Sequence, residues 1–303
     1  MRIFVAVAKR GSFAEAARQL RISASVATRS IAHLEDHLGL TLLTRTTRSL
    51  RLTERGLIYL ENAQQILEDL DGAERRVRGE SAEPRGELKV AAPVVFGRLH
   101  VLPIVIRALG EHRALSIRLN LSDRNVHLID EGIDVAIRIG ELANSSLIAV
   151  RLGAVGRVLV ASPEYLKERG APNAPADLSR HDIVAFENID ATNEWRFAAD
   201  EPPVRVEPRL AVNSADAAIA AAEAGMGITR TLTYQVDSAV RSGRLIPILQ
   251  RYMPPEVPVG AVYPARRIAS ANVAAFVKAA RKHFTENPIT AADAWPVTKP
   301  PGA

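Results

Sequence analysis

Ser23, Ser25, Thr28, Arg29 and Ser30 place four hydroxyls and one guanidinium within eight residues, at the front of the stretch ISASVATRSIAHLEDHL. Small hydroxyls allow close approach to a phosphate or a base edge and can donate to either. An arginine offers a planar fork that suits guanine or phosphate bidentately. A second group follows at Arg45, Thr46, Thr47, Arg48 and Ser49, with two cations and three hydroxyls in five residues. Both groups are equipped to contact a polyanion rather than to make or break bonds.

Other constellations carry less. His33 and His37 stand at i and i+4, a spacing able to chelate a metal, yet no third ligand is indicated and the glutamate is not adjacent to the first histidine. They read as surface residues on the outer face of a helix, and no metal or cofactor is expected. The GMG at 225–227 lacks the full glycine fingerprint of a nucleotide loop and follows a helical pattern, so it reads as a tight turn from helix to strand. No serine sits in a nucleophile elbow and no carboxylate pair has a catalytic context. An enzyme is not expected.

The hydroxyl-rich stretch needs elements to hold it. In GSFAEAARQLRIS, Ser12 caps a helix that buries Phe13, Ala16, Ala17 and Leu20 at helical spacing, and Ser23 caps the next. There Ala27, Ile31, Leu34 and Leu38 form one apolar stripe, and Gly39 ends the helix. Two helices joined by so short a turn make a helix-turn-helix, whose second helix meets a major groove with its N-terminal residues. The stripe leaves Ser25, Thr28, Arg29 and Ser30 largely on other faces. The alternating LTLLTRTTRSLRLTERG then reads as a hairpin or wing tipped by Arg45–Ser49.

From Thr53, read as the N-cap, one unbroken helical pattern runs to residue 79, a rod of roughly 40 Å at about 1.5 Å per residue. Its stripe of Leu60, Ala63, Leu67, Leu70 and Val77 is too narrow to stand alone in water, so pairing with a second copy is favoured over packing on its own domain. GESAEPRG marks a domain boundary, and from Glu87 short β-rich runs alternate with helical stretches, an α/β pattern.

Charge supports the division. The chain has 303 residues and a net charge of +5, with 47% apolar residues and no cysteine. Residues 1–55 hold ten basic and four acidic side chains, whereas 56–86 hold four and seven. The basic excess therefore sits where a polyanion would be met. The missing cysteines exclude disulfide frameworks and thiolate metal sites. No stretch has the length of a signal-peptide core or a membrane span. A soluble cytoplasmic protein without membrane contact is the expectation.

The motifs GSF, AARQL, the Ser-x-Ser-x-x-Thr-Arg-x-Ile-x-x-Leu-Glu run from Ser23 to Glu35, LGL, and RTTR followed by LT together resemble the winged helix-turn-helix of LysR-type transcriptional regulators. Downstream, GELKVAAPVVFGRLHVLP, EGIDVAIRIGELANSSLIAVRLG, VLVASPEYLKERGAP and VNSADAAIAAAEAGMGIT are similar to that family's effector domain, so the resemblance spans nearly the whole chain. It implies a multidomain protein. A winged helix-turn-helix (1–52) would be followed by a linker and dimerisation helix (53–79), a hinge (80–86) and a two-lobed α/β domain similar to periplasmic binding proteins (87–286). The first lobe would take about 87–160 and 263–286, the second about 161–262, with 287–303 a disordered tail.

The resemblance also implies a function: sequence-specific binding of promoter DNA at an interrupted palindrome, gated by a small organic effector. A homodimer, a tetramer on DNA, and RNA polymerase as a further partner follow. The DNA contacts would be Ser23, Ser25, Thr28, Arg29, Ser30, Arg45, Thr46, Thr47 and Arg48. The effector cleft would draw on Pro93, Val94, Val95, Ser122, Ile139, Gly140, Phe186 and Asn213, at strand ends around the cleft. Two valines at its mouth suggest a partly hydrophobic ligand, carboxylates among the candidates. The competing class, a solute-binding protein, shares the second fold but lacks a use for the basic helix-turn-helix.

Overall fold

The computed structural model describes residues 1–45, 50–77, 83–124, 127–140, 147–187, 193–198, 200–268, 270–289 and 295. Two compact units divide the chain, the first spanning Met1–Glu83 and the second starting at Pro84.

The first unit opens with α1 (Arg2–Arg10), α2 (Phe13–Leu20) and α3 (Ala24–Leu38). The side chain of Ser12 accepts from Glu15 N–H and that of Ser23 from Val26 N–H, so each helix starts on a hydroxyl cap. Between them Arg21 takes the left-handed conformation at φ 54°, where a glycine would be easier, and this makes the turn tight. Gly39 ends α3 in the same conformation at φ 65°. Ala27 and Ile31 are buried, while Leu34 and Leu38 pack half-buried against Phe4, Val7, Ala16, Leu42 and Leu43.

A two-stranded antiparallel sheet follows, β1 (Leu43–Arg45) and β2 (Leu50–Leu52), with Leu43 opposite Leu52. The long helix α4 runs Glu54–Val77, and Gly56 N–H donates to the Thr53 hydroxyl at 2.9 Å, which fixes its start. At Gly56 an added Cβ would lie 2.0 Å from the carbonyl oxygen of Leu42, so only glycine lets the first turn approach the chain entering β1. Along the expected stripe, Leu60 packs on this unit's core and Ala63 is buried, whereas Leu70 and Val77 are exposed. The front of α4 thus packs its stripe on its own domain, whereas the rear half leaves Leu70 and Val77 exposed and meets α1 through the Arg2–Asp71 ion pair at 3.1 Å.

The second unit holds two five-stranded sheets. The first comprises β3 (Gly86–Ala92), β4 (Leu115–Leu121), β5 (Val135–Ile139) and β6 (Leu147–Val155), together with a returning strand near the end. Between β3 and β4 lie α5 (Val94–Phe96), a π-helical turn (Gly97–Val101) and α6 (Leu102–Glu111). The second sheet begins with β7 (Arg157–Ala161), which is followed by α7 (Pro163–Arg169) and β8 (Ile183–Phe186). A small antiparallel pair, β9 (Glu194–Trp195) and β10 (Val204–Arg205), precedes β11 (Pro208–Val212) and α8 (Ala215–Glu223). Then come β12 (Ile228–Leu232), α9 (Thr233–Arg241), β13 (Ile246–Ile248), the returning strand β14 (Val257–Pro264) and α10 (Ala271–Glu286).

The sheet orders are β4-β3-β5-β14-β6 and β11-β8-β12-β7-β13. β3 is parallel to β4 and β5, and β8 is parallel to β11 and β12, so the carboxyl ends of parallel strands gather in each sheet. The crossing comes earlier than the expected lobe boundaries. β7 already pairs with β12 and β13 in the second sheet, and β14 pairs with β5 and β6 in the first from Val257 on. Partner strands, not the local sequence, decide that assignment. The start of the unit is pinned too: Arg85 N–H donates to Asn272 Oδ1 and Asn272 Nδ2 donates to the Arg85 carbonyl, each at 2.9 Å.

Of residues 287–303, expected as a disordered tail, 287–289 and 295 are described and make packing contacts, and the others lie outside the described residues. Asn287 N–H bonds the His283 carbonyl at 2.7 Å, Ile289 packs beside Gly153, and Trp295 is only 3% exposed. An indole is too large an apolar surface to leave in water when a fitting pocket exists.

Candidate nucleic-acid interface and effector site

The apolar stripe of α3 faces inward, so the opposite surface of its first two turns is free. Ser25 and Arg29 are exposed, Thr28 and Ser30 half-buried. Ser23, also expected as a contact, spends its hydroxyl locally: it accepts from Val26 N–H at 3.2 Å and lies 2.8 Å from the Ser25 hydroxyl. Arg29 forms no ion pair with any described carboxylate, so its fork remains available. Arg29, Ser30, His33 and His37 line one groove beside Met1. Among the described residues no group of three candidate metal ligands occurs.

The wing is tied to this helix by a residue that sequence reasoning did not single out. Glu35 Oε1 accepts from Leu42 N–H at 2.7 Å and from Leu43 N–H at 2.9 Å. Thr53, the α4 cap, also donates its hydroxyl to the Thr41 carbonyl at 2.8 Å. One carboxylate on α3 and one hydroxyl before α4 therefore fix both ends of the hairpin. Arg45 contributes its backbone to β1, and Thr46, Thr47 and Arg48 lie outside the described residues.

In the second unit, the expected effector residues separate into four groups. Pro93 is the N-cap of α5, and the adjacent Val94 N–H donates to Asp123 Oδ1 at 2.9 Å. Ser122 N–H bonds the Ala92 carbonyl at 3.0 Å, which brings the ends of β3 and β4 together. Ile139 is half-buried, and Gly140 carries φ 109° while donating its N–H to the Pro258 carbonyl. Asn213, after β11, is exposed. Val95 and Phe186 are each 3% exposed and belong to the apolar cluster between the sheets.

Two residues outside that expectation shape the region. Asp123 is half-buried; burial raises its carboxyl pKa, the Val94 N–H opposes this, and Asp216 adds to the rise. Tyr234, at the start of α9, is 5% exposed, and burial followed by the Asp123 charge pushes its hydroxyl up. Its ring meets Phe96 edge-on with centroids 5.1 Å apart and His100 at 5.7 Å. Arg98 reaches Asp216 at 3.7 Å, an exposed pair that contributes little energy. So α5 and the π-helical turn of the first sheet's layer touch α8 and α9 of the second through aromatic rings and one ion pair. His100 is held down to about 4 by burial and by His283, and is therefore neutral near pH 7. A clue to Asp123 lay in the sequence beside Ser122; nothing local pointed to Tyr234.

Comparison with known proteins agrees with this geometry. The profile described as "Bacterial regulatory helix-turn-helix protein, lysR family" matches residues 1–57, and "LysR substrate binding domain" matches residues 81–285. An HTH-type transcriptional repressor of Pseudomonas aeruginosa is 34% identical over 95% of this chain and 92% of its own length. The HTH-type transcriptional regulator DmlR of Escherichia coli is 33% identical over 95% of this chain and 94% of its own. Among solved structures, CrgA of Neisseria meningitidis, a LysR-type transcriptional regulator, superposes with a TM-score of 0.61 at 30% identity, covering 93% of this chain and 97% of that one.

Proposed function

Since the chain belongs to the LysR family of DNA-binding transcriptional regulators and carries that family's effector-binding domain, we propose that its α3 and wing read promoter DNA at an interrupted palindrome under the control of a small organic effector. The observation that carries this reading is the division of α3. Ala27 and Ile31 are buried on one side, while Ser25 and Arg29, which has no ion pair among the described residues, are exposed at the entrance on the other. Arg29 has the reach and planarity to take a guanine edge or a phosphate. Ser25 and Thr28 approach the backbone, Ser30 borders them, and Arg45, Thr46, Thr47 and Arg48 serve the flanking phosphates.

Two copies present two reading helices. Support comes from apolar side chains left in water: Leu57, Ile58, Ile66, Leu70 and Val77 on α4, and Leu99, Leu102, Ile106 and Leu109 along α6 and the turn before it. A dimer through α4 and a tetramer on DNA would cover both sets. The complex acts in the cytoplasm beside RNA polymerase. No helix among the described residues is long and apolar enough to cross a membrane.

The effector enters near Pro93, Val94, Ser122, Ile139, Gly140 and Asn213. The Asp123 carboxylate already accepts the Val94 N–H, so a ligand carboxylate at that amide would meet a negative charge at close range. This favours a small, partly apolar ligand that is uncharged, or donates a hydrogen bond, where it meets Asp123.

Titrating DNA binding against salt tests the reading. A phosphate-contacting regulator loses affinity steeply, with a slope near −0.9 per neutralised phosphate. A flat profile would refute the phosphate contacts assigned to α3 and the wing.

A further inference from the structure

Trp295 is buried among Val158 and Val160 of the second sheet, Ile219, Val236 and Ala239 of its helices α8 and α9, and Leu245 just before β13. Its Nε1–H donates to Asp237 Oδ1 at 2.9 Å, and the same carboxylate is held by Arg241 at 3.0 Å. The chain that delivers it comes from the other lobe. α10 packs Val273, Phe276, Ala280 and Phe284 with Val259 and Ala261 of β14 in the first sheet's core. Ile289 then rests on β6, where an added Cβ at Gly153 would lie 3.0 Å from its Cδ1.

Ile289 and Trp295 are separated by five residues. Six peptide steps span no more than about 20 Å. The two anchors flank the crossing from β6 to β7, with Gly153 on one side of it and Val158 and Val160 on the other.

We propose that the chain beyond α10 is a tether across the hinge: Trp295 plugs the second lobe, and its short connection to Ile289 couples the seating of that plug to the angle between the lobes. The chain already crosses at β6–β7 and returns into β14. A third connection restricts hinge bending to motions that keep Trp295 in place, or exacts loss of its buried area and its bond to Asp237 when the lobes swing further. The tether follows from contacts within the second unit and does not depend on which effector binds.

Amide hydrogen exchange of the full-length protein tests this with two variants. Trp295→Ala removes the plug. An insertion of ten Gly/Ser residues after Thr290 keeps the plug but slackens the connection, because effective concentration falls with linker length. Both are expected to speed exchange at the crossing, residues 153–158, and at the start of β14. In the insertion variant α8 and α9 should keep wild-type protection, since Trp295 can still dock. If Trp295→Ala loosens only α8 and α9, or the insertion leaves the crossing at its wild-type rate, Trp295 is local packing and the tether is refuted. Should Trp295→Ala fail to fold, the insertion alone decides between these outcomes.

Discussion

Glu35 on α3 accepts the backbone N–H of Leu42 at 2.7 Å, and the same oxygen accepts Leu43 N–H at 2.9 Å. The bond joins the helix that would lie in a groove to the strand that leads into the wing. Both donors stand where β1 begins, so the carboxylate sets the angle at which the hairpin leaves the helix. A charged acceptor on two backbone donors is stronger than a neutral one.

Replacing Glu35 with Ala strands those two part-buried N–H groups. Leaving a buried donor unmade costs about 1–3 kcal/mol, and the two share one acceptor. Chemical denaturation of Glu35→Ala should show a loss in that range with an unchanged m-value, and Glu35→Gln should fall between it and wild type. Equal stability of all three would mean the bond does not hold the wing.

Two glycines of α4 should respond in opposite directions. At Gly56 a methyl would meet the Leu42 carbonyl oxygen at 2.0 Å, whereas at Gly72 nothing lies within 4 Å. Gly56→Ala should destabilise the first unit by about 1–3 kcal/mol through overpacking. Gly72→Ala should stabilise by up to about 1 kcal/mol through helix propensity. Thermal melts of the two variants check this, and a matching sign would contradict the placement of α4 over Leu42.

His100 links stability to pH. Its folded pKa, about 4, lies below the ordinary 6.5, with burial the larger cause and His283 the second. The unfolded chain therefore takes up the proton first, so the stability present above about pH 6.5 is lost as pH falls toward 4. Its Nε2 is buried with no hydrogen-bond partner among the described residues, and its ring sits against Phe96, Tyr234 and Phe284. His100→Phe should keep the ring packing, raise the melting temperature, and flatten its decline between pH 6.5 and 4. A decline as steep as in wild type would assign the pH dependence to His283 and the carboxylates instead.

The legible parts of this molecule were the local ones. Ser12, Ser23 and Thr53 cap their helices with bonds to residues three positions on, and Gly39 ends α3, because a cap depends on its neighbours in sequence. The inward stripe of α3 followed from its period, as did the division of its surface. Long-range partnership was not legible. β7 carries no mark that it joins β12 and β13, and nothing local shows that Val95 and Phe186 share one apolar cluster between the sheets. Glu35 belonged to a recognised motif, yet its role needs the fold, since its partners lie seven and eight residues away across a turn. Trp295 is the extreme case: a lone indole in a polar, proline-containing end reads as tail until a pocket from α8 and α9 closes on it.

Whether the polar entrance of α3 reads DNA is tested by Arg29→Ala. The DNA to use is the promoter region flanking the gene that encodes the chain, with binding followed by anisotropy and footprinting at fixed salt. If Arg29 contacts a base, specific binding should weaken by about 1–3 kcal/mol, roughly 5- to 150-fold, with relaxed preference at one position of each half-site. Arg29 is exposed and holds no ion pair with a described residue, so the melting temperature should not move. An unchanged affinity and footprint would contradict the assignment of α3 as the reading helix.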